Sequence, residues 1–369
     1  MLDQNILGLL IQQIKTDFNL TDAEAGLLLG PTQAIFYALV AVPFSRYIDR
    51  WTRKWIIAGG LIVWSLATAA SGLAANFTQL FIARVVVGAG ESVNGPTAYS
   101  MVADCFPRDK LPRAVSTLQI GSVAGSGLSL LLGGLMIWLV ATLGSPDLPI
   151  VGIKVKEPPR HNLRLKTRNA GFKKTISYLW LHVAVFGPMF LGLTVGSLDA
   201  GGRAWGAAFF ERTYGWSPTQ YGIVSGVVSI IAMLAGLYLG AKWAEWFQNR
   251  GDPAGAYRVI LYTRLVAIPF AIMQPLMPTP ELAMAFSSVA YLSLGMKYLF
   301  IYTVVGVGLA PFVTGLTTDF IFTSPDDLRW SIMLLHVVFL PAALAITWLG
   351  LKPFRKEVER LNAEDARVA

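Results

Sequence analysis

The chain has 369 residues, of which 54% are hydrophobic and 14% are charged, and its mean hydropathy is +0.54. Soluble domains carry about 25% charged residues, so this composition excludes an ordinary soluble protein and predicts an all-α protein that crosses the bilayer several times. In such a protein the net charge of +8 indicates basic cytoplasmic loops, and we expect no nucleic-acid partner. The single cysteine, Cys105, excludes an intramolecular disulfide.

Apolar segments succeed one another in the N-terminal part of the chain and predict its first membrane spans. They cover residues 1–14, 23–44, 55–75, 80–105 and 114–142. The first is shorter than the ~20 residues of a full span, so we expect its beginning to be missing. Asp22 stands where it could cap the second span. The fifth is rich in Gly and Ser, which predicts close contact with a neighbouring helix.

The distribution of basic residues predicts the topology. Residues 45–54 and 106–113 are both basic, which places both loops in the cytoplasm. The fifth span must then end outside, yet residues 153–174 form the most basic segment of the chain and should be cytoplasmic. We therefore expect a sixth span to be missing near residue 152.

The C-terminal part repeats the pattern. Further spans are predicted at residues 175–198, 221–247, 259–277 and 330–349. The apolar stretch 282–321 is too long for one span and shows no turn signal for two, so we expect a second missing piece near residues 295–302. With the missing pieces restored, the chain has twelve spans in two six-helix bundles, the arrangement of a carrier with its site between the halves. The predicted parts are an N-terminal bundle (1–152), a basic cytoplasmic linker (153–174), a C-terminal bundle (175–351) and a cytoplasmic tail (352–369).

Two charges stand inside the fourth predicted span. Arg84 and Glu91 are seven residues apart, which puts them on one helix face about 10 Å apart. A charge at mid-bilayer costs about 2.5–3.5 kcal/mol, so this helix should face a water-filled path or a partner charge. A purely structural ion pair, or snorkelling of Arg84 to the interface, is the alternative. Pro96 can kink the same helix near the charges.

The loop after the second span resembles the signature of the major facilitator superfamily, which runs G-x-x-x-D-R-x-G-R-R/K. In SRYIDRWTRK, Asp49, Arg50, Arg53 and Lys54 match that signature, while serine and threonine replace its glycines. The resemblance implies a major facilitator fold and a conformational latch at these four residues. A solvated basic loop is the alternative.

Three N-terminal stretches resemble the Spinster branch of that superfamily: LDQNILGLLIQQIK, ARVVVGAGESVNGPTAYSMVADCFP and the early part of the fifth span. The C-terminal match is thinner. The resemblance implies a proton-coupled secondary active transporter of amphipathic lipids, such as lysophospholipids or sphingosine phosphates, working by alternating access. Its protonation site falls on Asp3, Arg84 and Glu91, and we assign substrate binding to Arg84, Glu91, Asn94 and Tyr99.

Several alternatives stay open. A polyspecific drug or organic-anion carrier and an energy-independent lipid scramblase both fit the composition. Arg203 and Glu211 flank the aromatic residues Trp205, Phe209 and Phe210, which could line the outer mouth of a cavity or form an interfacial belt.

We expect neither an enzyme nor a metal site, because no nucleophile–base pair or cluster of metal ligands stands out. No cofactor beyond the coupling proton is expected, and no Walker loop indicates ATP drive. The expected protein is a monomer in the bacterial inner membrane, with both termini cytoplasmic.

Overall fold

A computed structural model of the chain describes residues 2–48, 51–106, 111–143, 177, 180–297 and 304–368. Within these ranges the chain forms helices joined by short turns, and none of the described residues lies in a strand. The all-α prediction is therefore confirmed. The proposed sixth-span gap and the basic linker 153–174 both lie outside the described residues.

The N-terminal spans are helices that are often interrupted. Their bounds are α1 (Leu2–Leu9), α2 (Ile11–Phe18), α3 (Asp22–Leu29), α4 (Pro31–Ile48), α5 (Arg53–Ser71), α6 (Phe77–Glu91), α7 (Asn94–Cys105) and α8 (Leu111–Leu143). The first, second and fourth predicted spans are each divided in two. Thr21, rather than Asp22, caps α3: its hydroxyl accepts from the backbone N–H of Glu24, whose carboxylate accepts from the Thr21 N–H in return.

The C-terminal half also consists of helices, several of them short. Their bounds are α9 (Val183–Gly196), α10 (Ala200–Ala204), α11 (Gly206–Tyr214), α12 (Pro218–Asn249), α13 (Gly255–Met273), α14 (Pro280–Lys297), α15 (Val304–Thr317) and α16 (Leu328–Val368). The stretch 282–321 holds two helices, α14 and α15, and the expected missing piece near residues 295–302 stays a prediction. The junction, residues 298–303, lies outside the described residues. The tail continues α16 without a break.

The N-terminal and C-terminal helices meet along two glycine-lined seams. In the first, α8 packs on α12, and a Cβ built on Gly226 would lie 2.6 Å from the backbone nitrogen of Leu131. In the second, α15 packs on α3 and α4, and a Cβ on Gly26 or Gly30 would collide with the carbonyl of Pro311 or Gly308. Glycine is needed because the helix backbones touch. The close contact predicted for the fifth span is confirmed at α8.

Seven helical segments of the described ranges are long and apolar enough to cross a membrane. Lipid would cover much of their surface, since fewer than half of the residues in each are buried inside the protein.

The aromatic residues after α10 lie inside the protein rather than at its surface. Trp205, Phe209 and Phe210 are all fully buried in the largest hydrophobic cluster, and the Trp205 indole donates to the Pro311 carbonyl at 2.9 Å. They form neither an interfacial belt nor the mouth of a cavity, because α11 packs between the two halves instead of facing lipid.

The α8–α12 seam yields a direct test. Gly226→Ala should lower the melting temperature in detergent, because overpacking a tight contact costs about 1–3 kcal/mol. Gly125→Ala on α8 is the matched control, since nothing lies within 4 Å of its added Cβ. Equal melting temperatures for the two variants would contradict the seam.

Candidate functional site

A cavity lies between the two halves of the protein and has a volume of about 170 Å³. Helices of both halves contribute to its wall. The polar side chains in its lining are Asn5, Ser126, Arg203, Tyr221, Ser229 and Tyr291. The apolar ones include Leu9, Leu29, Leu130, Met233 and Leu294. The wall is therefore amphipathic, with one arginine.

Hydrogen bonds position several of the polar groups in this wall. Asn5 of α1 donates to the Ser126 carbonyl at 3.2 Å and to the Ser129 hydroxyl. Arg203 lies 3.4 Å from Asp199, one turn earlier. The sequence allowed Arg203 either at the outer mouth of a cavity or beside an interfacial belt, whereas the structure places it in the wall of the central cavity.

The charges of the fourth span lie on α6, between α4 and α5. Arg84 is 3% exposed. Glu91 is the last residue of α6 and accepts a hydrogen bond of 2.5 Å from the Gln33 amide of α4. Gly88 makes that bond possible, because a Cβ there would collide with the Gln33 backbone. The sequence analysis missed Gln33, whose only signal was a polar residue inside an apolar span.

The fourth span is interrupted just beyond Glu91. Helix α6 ends at Glu91 and α7 begins at Asn94. Pro96 lacks an N–H, so the carbonyl four residues before it loses its helical partner. The fourth span is thus interrupted at Ser92 and Val93, which leaves Glu91 at a joint between two helices, while the kink itself stays a prediction.

The remaining predicted site residues are dispersed. Asn94 is half-buried at the start of α7, and Tyr99 is exposed on the same helix. Neither they nor Arg84 and Glu91 belong to the described lining of the central cavity, so their role in substrate binding stays a prediction. Asp3 lies in α1, and its side chain is outside the described residues.

The predicted latch is described only at its end. Asp49 and Arg50 lie outside the described residues. Arg53 is buried at the start of α5, where it pairs with Asp104 of α7 at 2.7 Å and donates to Ser100 at 3.1 Å. Lys54 is exposed. Through this pair, Asp104 contacts the end of the basic loop rather than the central cavity.

An ionic cluster joins the two halves at the opposite end of the molecule. Asp22 of α3 is completely buried, and both of its oxygens accept from Arg212 of α11, at 2.7 and 2.8 Å. Lys15 binds the same carboxylate at 2.6 Å. Arg212 also donates to Gln12 at 2.7 Å and to the Pro325 carbonyl at 2.9 Å.

A second carboxylate, that of Asp319, contacts the N-terminus of α3 at the same end of the molecule. Asp319, just after α15, accepts from the backbone N–H groups of Asp22 and Ala23 at 3.2 and 2.6 Å. A C-terminal side chain thus caps the N-terminus of α3, where negative charge is favoured. The charge-based topology assigns this end to the outside. The sequence analysis missed the cluster, because its members are far apart along the chain.

The ionic cluster makes a prediction about stability. Arg212→Gln and Asp22→Asn should each lower the melting temperature markedly, because removing one member of a buried pair costs about 3–5 kcal/mol. The double variant should lose less than the sum of the two. Arg355→Gln, in a pair whose partners are about half exposed, is the control and should change little. Additive losses would show that Asp22 and Arg212 do not interact.

Known membrane transporters resemble this chain in sequence. The sequence profile of the Major Facilitator Superfamily matches residues 1–321. An MFS-type efflux pump of Mycolicibacterium smegmatis is 24% identical over 401 residues, covering 96% of this chain and 90% of that protein. Human protein spinster homolog 1 is 26% identical over 287 residues, covering 68% of this chain and 54% of that protein. The chain thus spans about half the length of this spinster relative.

Solved structures agree on the fold. A bacterial homolog of the human lysosomal transporter Spinster, in an inward-facing and unoccupied conformation, superposes with a TM-score of 0.76 at 23% identity, covering 96% of this chain and 94% of that one. The nucleoside transporter NupG superposes with a TM-score of 0.57 at 12% identity, covering 96% of each chain. The expected major facilitator fold and the resemblance to Spinster proteins are confirmed, and the chain belongs to the Major Facilitator Superfamily of membrane transporters.

Proposed function

We propose that this transporter moves amphipathic lipids, of the lysophospholipid or sphingosine-phosphate type, and that protons drive it. The observation that carries the proposal is the amphipathic wall of the central cavity. A lipid with one chain needs an apolar surface for the chain and polar donors for the head group, and both line this cavity.

Arg203 is the group in that wall suited to an anionic head. A guanidinium binds phosphate or carboxylate through two parallel hydrogen bonds. Asp199 lies 3.4 Å from Arg203 and would orient it between substrates. The residues predicted to bind substrate were Arg84, Glu91, Asn94 and Tyr99, and we propose that they act on the same substrate later in the cycle.

The proton step is proposed for Glu91 together with Asp3. Protonation removes the charge of Glu91 and weakens its charge-assisted hydrogen bond from Gln33. We propose that it also releases Arg84, the third member of the predicted protonation site. Because Glu91 stands at the joint between α6 and α7, the change alters how these helices pack, and the proton thereby shifts the balance between inward-open and outward-open states.

Alternating access requires the ends of the molecule to close in turn. We propose that the Asp22–Arg212 cluster closes the outer end, and that Asp49, Arg50, Arg53 and Lys54 form a latch at the inner end. The protein would work as a monomer in the bacterial inner membrane with both termini cytoplasmic.

A second candidate is export of drugs or organic anions, favoured by the similarity to the mycobacterial efflux pump over 96% of this chain. An energy-independent scramblase is the third. All three use the same cavity and differ in substrate and in energy coupling.

Uptake into proteoliposomes tests the proposal. The wild-type protein should accumulate a fluorescent lysophospholipid several-fold when a pH gradient is imposed, and Glu91→Gln should abolish this stimulation because it cannot exchange a proton. Glu359→Gln, half-exposed in the tail, is the matched control and should behave as wild type.

Three outcomes contradict parts of the proposal. Proton-dependent uptake by Glu91→Gln would exclude Glu91 as the coupling site. Equal lipid movement with and without a gradient would identify a scramblase. Gradient-driven transport of cationic drugs with no lysolipid or sphingoid-phosphate transport would identify an exporter.

A further inference from the structure

A second cavity lies on the peripheral face of the N-terminal half, and it shares no lining residue with the central cavity. It is a groove among α4, α5 and α6 with a volume of about 710 Å³. Typical small-molecule pockets hold about 300–1,000 Å³. Thr52 is the one side chain with a hydroxyl in the described lining, and the rest is apolar or aromatic, including Phe44, Trp51, Trp55 and Val63.

Glycines give the groove its depth. A Cβ on Gly60 would lie 2.8 Å from the Gly90 carbonyl, and one on Gly90 would lie 2.9 Å from the backbone nitrogen of Trp64. Helices α5 and α6 therefore touch along the floor. Gly59 differs, because nothing lies within 4 Å of its ideal Cβ. It faces the open space of the groove.

The length of the groove matches one leaflet of a bilayer. Its lining on α5 extends from Trp55 to Val63, and eight residues at 1.5 Å each span roughly 12 Å. The hydrocarbon core of a bilayer is about 30 Å thick, so half of it is about 15 Å. An acyl chain from one leaflet would fill the groove from end to end.

The chemistry of the mouth identifies the head group. Trp51 and Trp55 are 60% and 71% exposed at that end, as tryptophans are at the bilayer interface. Lys54 is exposed beside them, its Nζ 5.9 Å from the Trp55 ring. The neighbouring Arg53 forms an ion pair with Asp104, so Lys54 is the cation assigned to the head group. An exposed cation at the interface attracts an anionic lipid.

We infer that this groove binds one acyl chain of an anionic phospholipid from the leaflet on the side of the basic loops, with the phosphate at Lys54. This lipid is a resident and not the transported substrate, since the groove opens to the bilayer and not between the halves. Its chain lies behind residues 89–93, and so supports α6 at the joint that carries Glu91.

Native mass spectrometry of the purified chain, titrated with phosphatidylglycerol, tests the inference. The wild-type protein should retain a tightly bound phosphatidylglycerol, and Gly59→Leu should reduce that retention at least tenfold by filling the groove. Gly121→Leu on α8 is the matched control, because its Cβ also meets nothing within 4 Å and it lies outside the groove.

Lys54→Gln distinguishes binding of the head group from binding of the chain, because it removes a charge at the mouth and leaves the lining of the groove intact. It should lower the preference for phosphatidylglycerol over phosphatidylcholine while a lipid still binds. Unchanged retention in Gly59→Leu would overturn the site, and unchanged head-group preference in Lys54→Gln would overturn the assignment of the phosphate. The readout is retained diacyl lipid, so failure of the proposed lysolipid transport would leave this result unaffected.

Discussion

The fold depends first on one buried carboxylate. Asp22 has no exposed surface and is held by Arg212 of the other half and by Lys15 of its own. A buried charge is tolerated only when it is paired, so the two halves are tied wherever Asp22 is ionised. Asp319 strengthens the tie by capping the helix that begins with Asp22. The glycine seams bring the backbones close enough for these short contacts, and the central cavity remains beneath them.

Helices α6 and α7 connect the charged sites with one another. Arg84 and Glu91 lie on α6, the joint after Glu91 leads into α7, and α7 carries Asp104, which pairs with Arg53 at the start of α5. A change of charge at Glu91 therefore acts on an element that reaches the predicted inner latch. This continuity would give the proposed proton step a physical route to closure, through packed helices and ion pairs.

The local pattern of the sequence was sufficient to predict the helices, the interruption near Pro96 and the glycine-mediated contact of α8. It could not predict that Gln33 contacts Glu91, that Arg203 lines the cavity or that Asp22 pairs with Arg212. These contacts depend on which helices, distant in the sequence, pack together. The aromatic residues in 205–210 would have the same sequence pattern whether lipid or protein covered them, so the pattern could not predict their burial. The stretch 282–321 is apolar throughout, so its composition does not show where α14 ends and α15 begins.

The most direct test of the account is the distance across the Asp22 end, measured by pulsed electron paramagnetic resonance. Spin labels at Ala75→Cys and Leu282→Cys, in a Cys105→Ser background, report on the N-terminal and C-terminal halves at exposed positions. In the wild-type background we expect one short distance, and with Arg212→Gln a second, longer distance as the halves separate. An unchanged distance distribution in Arg212→Gln would contradict the claim that this buried pair holds the outer end closed.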